Sequence, residues 1–436
     1  MKTVLTNYDL YPKVIRSGRE TEITIRPLGD HARFLDGDVY TVTISPMNET
    51  TRNEEDREYP SYDLRSTGGA LVFRHHFTNE GQYLARIEQK AERIAAGRQG
   101  VRALPAELRL YAVDEDLFTL RPWRGDMHVH SFRSDGKEAP AIVAANYRKG
   151  GFDFFALTDH ERYEPSLEMI EAYRGVAIDL GLFTGEEVHP PRNYTHYIHV
   201  GGDWSVNKLI RKDPGAYREE VLRLSKELEI PGGLNREEFA SCYWVCREIH
   251  RAGGLAIMVH PHWIHEGAYH SGENMARYMI TSKLFDAFEI IGGQTLEENQ
   301  PQVSLWQEMR AQGCFLSPLG NSDSHGTVNT EWFQLAKTLV FSETCKKDSI
   351  FTAIKQGRTV ALEQYHGEPK ARLYGLHRYV MFSLFLLEEY FPLHDELCFE
   401  EGRLMKDYVC GDSSAADLLG RLSGRCAALM EKCWGS

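Results

Sequence analysis

The chain lacks an apolar run long enough to cross a bilayer. Its most apolar stretch, YVMFSLFLLEEYF from Tyr379 to Phe391, is short and broken by Ser383, Glu388 and Glu389, so it reads as a buried helix. A secretory leader is not expected, because MKTVLTNYDLYPKV has neither a sustained apolar core nor a small-residue cleavage site. No block of basic residues occurs and the net charge is −13. That balance argues against a long nucleic acid or an anionic membrane as the main partner, and leaves room only for a local basic pocket. Cysteine forms no framework: the eight are scattered, Cys242 and Cys246 stand at core spacing on a helical stretch, and no second pair follows at zinc-ribbon spacing. Reduced thiols in a cytoplasmic protein are the expectation. No repeat of solenoid period is present.

What the sequence does contain falls into three textures, as expected of 436 residues, too many for one ordinary core. Residues 1–122 read as a small β-sandwich, immunoglobulin-like, from stretches such as TEITIRPL, DVYTVTISP and GALVFRHHF. Tyr83 enters a strand there as at a sandwich corner. The adjacent His75 and His76 face opposite ways on a strand and read as structural or surface residues. From 123 to 365, short apolar runs alternate with helical stretches, the pattern of parallel β/α units. Seven strand-like segments (GDMHVH, FDFFALTD, LGLFTGEEV, THYIHVGG, GLAIMVHP, FDAFEIIGG and CFLSPLGNSD) predict an α/β fold built as a distorted seven-stranded β/α barrel, with a helical insertion over 203–253. Residues 366–436 read as a helical C-terminal extension.

Six of those strand-like segments carry imidazoles or carboxylates at or near their C-terminal ends, where the loops of a β/α barrel build its active site. The first carries His128 and His130, with Asp135 beyond; the second Asp159 and His160; the third Glu186 and Glu187; the fourth His196 and His199. The fifth carries His260 and His262, and the seventh Asp323 and His325. The exception, FDAFEII, carries only Glu289, read as structural. One histidine on a strand is commonly a satisfied core residue, but six strands ending this way require another explanation. Imidazole with carboxylate suits zinc, iron or manganese, and the number of candidates exceeds what one tetrahedral site uses. A multinuclear centre follows.

As an ordered set, DMHVHSFRSDG, ALTDHE, GEEV, MVHP and GNSDSH resemble the motifs of the PHP (polymerase and histidinol phosphatase) superfamily. TGEEVHPP with THYIHVGG, behind a β-rich N-terminal region, is similar to the CehA/McbA-type metallohydrolases within it. The resemblance spans roughly residues 123–365. It implies two to three divalent ions (Zn, Mn or Fe) in three positions: the first held by His128, His130, Glu187 and Asp323, the second by Glu187, His196 and His260, and the third by Asp135, His160 and His325. The spacing after Gly185 favours Glu187 over Glu186, and that to the following GG favours His196 over His199; both pairs stay open. Asp126 and Asp159 are expected to orient imidazoles through their second ring nitrogen.

A cluster of this type does hydrolysis, since a water bridging two metal ions ionises near neutral pH. The resemblance implies a phosphoesterase acting on a small, anionic, phosphorylated or nucleotide substrate. The alternatives are a hydrolase of carboxylic ester, amide or carbamate bonds, and a metal-containing binding protein without turnover. His262 is the candidate general acid, or else an extra ligand or substrate contact. Arg133, inside the first loop, is the candidate phosphate-binding residue, with Arg162 and Arg192 also near the rim. Oligomeric state is not legible.

Overall fold

The computed structural model describes residues 7–48, 58–89, 105–328 and 330–435. The chain divides into two compact units, one made of Met1–Leu120 with Met381–His394 and Gly424–Ser436, the other of Arg121–Val380 with Asp395–Ser423. No described helix is long and apolar enough to cross a membrane.

The first unit holds two sheets. Tyr8–Tyr11, Arg19–Pro27 and Leu71–Phe77 form an antiparallel three-stranded sheet. Val14–Arg16, Ala106–Val113, Gly81–Gln89, Val39–Pro46 and Ser61–Arg65 form a five-stranded one, in that order. Strict alternation sends Tyr40, Val42 and Ile44 inward from one sheet, where they share a core with Ile23, Ile25, Leu71 and Phe73 of the other. The Tyr83 hydroxyl donates to the Asn79 carbonyl at 2.9 Å, tying down the loop that enters its strand. His75 accounts for its ring locally, with Nδ1 2.8 Å from the Tyr62 hydroxyl. The C-terminal pieces belong here through contacts such as the Lys13 amide on the Cys433 carbonyl and the Tyr111 ring 5.0 Å from Phe382.

The second unit is α/β, but a closed seven-stranded barrel is not what the strands form. One sheet runs Gly181–Phe183, Phe154–Ala156, Arg121–Asp126, Ala336–Ser342, Thr359–Glu363, Arg372–Gly375. The other runs Gly185–Val188, Tyr197–Val200, Leu255–Met258, Ala287–Ile291, Ser317–Gly320. Only part of the pairing is parallel. Tyr197–Val200 is antiparallel to both its neighbours, because the link from Val188 to Tyr197 is too short for the crossover that a parallel neighbour needs. Arg372–Gly375 adds an antiparallel edge strand where a purely helical extension was expected. Apolar faces of both sheets meet in one core that includes Met127, Phe154, Ile198, Ile257, Leu319 and Val340.

Two isolated bridges, Val129 with Ser324 and His160 with Glu187, link the sheets beyond their regular ladders. Val129, Ser324 and His160 lie just past strand ends and Glu187 within its short strand, so the residues predicted to converge are brought together where the sheets touch. Helices surround them: Pro140–Lys149 starts with proline and ends at Gly150, as its sequence predicts. The insertion supplies Val206–Lys212, Pro214–Glu227 and Arg236–Arg251, capped by the side chains of Ser205, Asp213 and Asn235. Cys242 and Cys246 are buried on the last of these, among apolar side chains.

Candidate metal centre

The regular strand Arg121–Asp126 stops before the two histidines that follow it, yet His128 and His130 still face one another, with ring centroids 5.2 Å apart. Both are completely buried. Between them stands Asp323, whose Oδ1 lies 3.2 Å from His128 Nε2 and 3.0 Å from His130 Nε2. Glu187 is the hub of the cluster. Its Oε2 is 2.7 Å from His160 Nδ1 and 3.5 Å from both His128 Nε2 and His130 Nε2. Its Oε1 is 2.7 Å from His196 Nδ1, 3.4 Å from His189 Nε2 and 3.5 Å from His260 Nε2. On the outer side, Asp135 Oδ2 sits 3.4 Å from His160 Nε2 and 3.3 Å from His325 Nε2.

These short distances are not hydrogen bonds. Both oxygens of Glu187, Oδ1 of Asp323, Nε2 of His128 and both ring nitrogens of His130 are buried without a hydrogen-bond partner. Each such atom costs ~1–3 kcal/mol if nothing else satisfies it. The donors fall into groups with ligand atoms within 4.8 Å of one another: His128, His130 and Glu187; His128, His260 and Asp323; His196, His260 and His270; and His130, Asp135, His160 and His325. Nitrogen and carboxylate oxygen in that mixture fit divalent transition ions. All nine predicted ligands lie in this cluster.

The backbone is bent to build it. His260 and Asp323 both adopt left-handed conformations, with φ of 27° and 47°, a strain of ~1–3 kcal/mol per residue that tends to gather at functional sites. Gly185, two residues before Glu187, lets the strand approach closely: a Cβ there would meet the Leu157 carbonyl oxygen at 2.9 Å.

The electrostatics follow from burial and from sharing carboxylates. Burial pushes the His130 imidazole down to about 3, while His128, equally buried, is carried well above its usual range by Asp323, Glu289 and Glu187. Burial also opposes the charge of His160, yet Glu187 and Asp135 lift it to about 10. Burial raises the Glu187 carboxyl, but His196, His160 and His128 outweigh it and hold the group well below the carboxylate range.

Several predicted roles change. Asp126 and Asp159 orient no imidazole. Asp126 accepts from the His128 and Ser322 amides and the Tyr147 hydroxyl, and burial raises its carboxyl to about 7. Asp159 accepts from the amides and hydroxyls of Ser131 and Ser134, shaping the first loop. The partner of His128 is instead Glu289, 3.0 Å from Nδ1 and steadied by Asn321. Glu289, read as structural, lies on a strand aligned with the others, and that position was the available signal. His189 and His270 were missed altogether because each sits in a loop, beyond any strand pattern.

Glu186 and His199 pair with each other at 3.0 Å away from the cluster. His262 is buried, with Nε2 3.1 Å from Glu273 and Nδ1 unpartnered. Arg133 is held by Glu168 through two bonds of 2.8 and 2.9 Å. It lines a cavity of about 510 Å³ with Glu161, Arg162, Glu168 and Arg211, beginning one residue after His160. Arg192 is exposed, with a left-handed backbone.

No protein-family model matches the chain, and no curated protein matches it in sequence. Solved structures do. A two-domain protein from Bacteroides vulgatus containing a predicted PHP-like metal-dependent phosphoesterase aligns at 16% identity and a TM-score of 0.41, over 56% of this chain and 65% of that one. The match thus spans less than two thirds of the Bacteroides protein. A proposed metal-dependent phosphoesterase from Bifidobacterium adolescentis aligns at 20% identity and a TM-score of 0.34, over 47% of this chain and 88% of that one. An amidohydrolase from Chromobacterium violaceum, with sulfate and no metal bound, aligns at 20% identity and a TM-score of 0.29, over 46% and 87%.

Proposed function

We propose that this chain is a metal-dependent hydrolase of the PHP type, near its CehA/McbA branch, and a phosphoesterase acting on a small anionic substrate. The observation that carries the reading is Glu187: a buried carboxylate within 3.5 Å of six imidazoles and bonded to none of them. Such a group is paid for only by cations it can share. His128, His130, Glu187 and Asp323 would hold one ion, Glu187, His196 and His260 a second, and Asp135, His160 and His325 a third. Divalent ions held there supply Lewis acidity and a nucleophile at neutral pH.

The chain's own residues do the rest. Glu289 fixes the His128 ring through Nδ1, leaving Nε2 directed at the centre. His262 keeps Nδ1 unpartnered in a buried position, with Glu273 3.1 Å from Nε2, a placement that suits a proton donor to a leaving group. Arg162 and Arg211 line the cavity beside His160 and suit the substrate's anionic end. Hydrolysis of a carboxylic ester, amide or carbamate is the second reading, favoured by the neutralisation of Arg133 by Glu168, which removes one cation from phosphate binding.

The test is metal analysis of the purified protein together with turnover of phosphomonoesters, phosphodiesters, and carboxylic ester, amide and carbamate substrates. Two to three equivalents of zinc, manganese or iron with phosphate release are expected. Turnover of the carbon-centred substrates alone moves the protein to the second reading, and metal without any turnover makes it a binding protein. Protein that neither contains nor acquires metal overturns the centre itself.

A further inference from the structure

His270 reaches the cluster from outside the set of strands that builds it. It lies at the foot of a two-stranded hairpin, Ile264–His265 paired with Ala268–Tyr269. The tip residues Glu266 and Gly267 both have positive φ, 50° and 80°, as a tight two-residue hairpin turn requires. The arms are solvent-exposed, and an isolated hairpin of this size is marginal in water. What holds it is its base. The His270 amide donates to the Trp263 carbonyl at 2.8 Å, and the Ser271 amide to the Pro261 carbonyl at 2.9 Å. His270 is therefore delivered to a defined place.

That place faces His260. The two Nδ1 atoms are 3.2 Å apart, and the His270 ring centroid is 4.3 Å from that of His196. One donor atom each from His196, His260 and His270 falls within 4.8 Å of the others. His260 thus turns Nε2 toward Glu187 and Nδ1 toward His270, within hydrogen-bond distance of it. Trp263 closes the outer wall, 5.8 Å from His260 and 5.1 Å from His270.

We propose that His270 is a ligand of the second metal position, making it a three-imidazole site beside Glu187, and that the ion bound there fastens the hairpin Ile264–Tyr269 to the catalytic unit. The inference rests on the metal centre argued above. It gives the cluster unequal positions: oxygen and nitrogen share the first, whereas nitrogen dominates the second, which therefore prefers zinc, cobalt or nickel to magnesium or manganese.

The full-length protein and its His270→Ala variant would be loaded with zinc, dialysed against a chelator and analysed for retained metal. Amide exchange of residues 263–271 would be followed with and without zinc. The variant is expected to retain one equivalent fewer than wild type, and zinc is expected to slow exchange in the hairpin of wild type only. His270→Cys, which offers a thiolate from the same position, is expected to regain the lost equivalent and serves if the alanine variant folds poorly. A variant that keeps the full complement, with the same visible spectrum when loaded with cobalt, overturns the ligand role and leaves His270 as packing for His260. Hairpin exchange in wild type that ignores zinc overturns the fastening. If wild type itself takes up no metal, the reading of the whole centre falls, an outcome distinct from both.

Discussion

Glu186 and Glu187 are neighbours on one short strand, both completely buried and both beside imidazoles, yet the two sides of that strand behave in opposite ways. On one side Glu186 is saturated: it accepts from His199 Nδ1, the Ser205 hydroxyl, the Val206 amide and the Asn207 amide group. On the other, Glu187 has more imidazole neighbours, and its carboxylate makes not one hydrogen bond. A buried carboxylate with every lone pair engaged holds a fold together. One surrounded by donors whose geometry fails to donate is arranged for something absent from the chain. Burial and proximity alone would not separate the two; the direction of the lone pairs does.

The comparison is broken most decisively by exchanging each glutamate for glutamine. Glu187→Gln is expected to abolish metal-linked stabilisation, which for the wild type amounts to ~3–4 kcal/mol at metal concentrations 100–1,000 times Kd. Its melting temperature should then be the same with and without zinc. Glu186→Gln turns an amide toward the donors that surround it and is expected to cost ~2–4 kcal/mol of stability. Its melting curve should still rise on adding zinc. Should the two variants exchange these signatures, the assignment of the two sides is wrong.

A smaller effect is expected one layer out. Glu289→Gln weakens the bond that fixes the His128 ring, and the first metal position should lose ~10–100-fold in affinity, read by competition with a chromophoric chelator. The fold should barely change, since Asn321 can still bond the amide oxygen.

The smallest sharpens the structural side of the contrast, far from the centre. Asp286 meets His250 Nε2 at 3.0 Å and the Ala256 amide at 2.9 Å. Burial raises its carboxyl, but His250, the amide and Lys355 prevail and hold it below the usual range. A depressed folded value contributes stability above the unfolded one and loses it as pH falls through the folded one. Asp286→Asn should therefore destabilise by ~1 kcal/mol at pH 7, with the difference fading below about pH 4, as chemical denaturation across pH would show. Metal binding should be untouched.

Much of the site was legible because a strand repeats every two residues. Alternation made Glu186 and Glu187 diverge, and it predicted the shared face of His128 and His130 although the regular strand stops before them. Residue type then named the chemistry: imidazole and carboxylate at successive strand ends have few uses other than metal. Alternation also placed Tyr40, Val42 and Ile44 in the sandwich core. The sequence by itself thus determined most of the side chains that gather, and the residue types from which a metal centre is proposed.

Tertiary structure decided the rest, because the remaining information is not periodic. Whether seven strands close into a ring depends on pairing partners across the chain. The short link before Tyr197 turned that strand antiparallel, and the late strand Arg372–Gly375 joined a sheet from within a helical stretch. His189 and His270 come from loops, where side-chain direction follows the path of the backbone and no repeat announces it. Glu289 and Asp126 likewise took roles the sequence did not announce: they stand on strands of different sheets, and only the packing of those sheets decides which carboxylate meets a ring and which meets an amide.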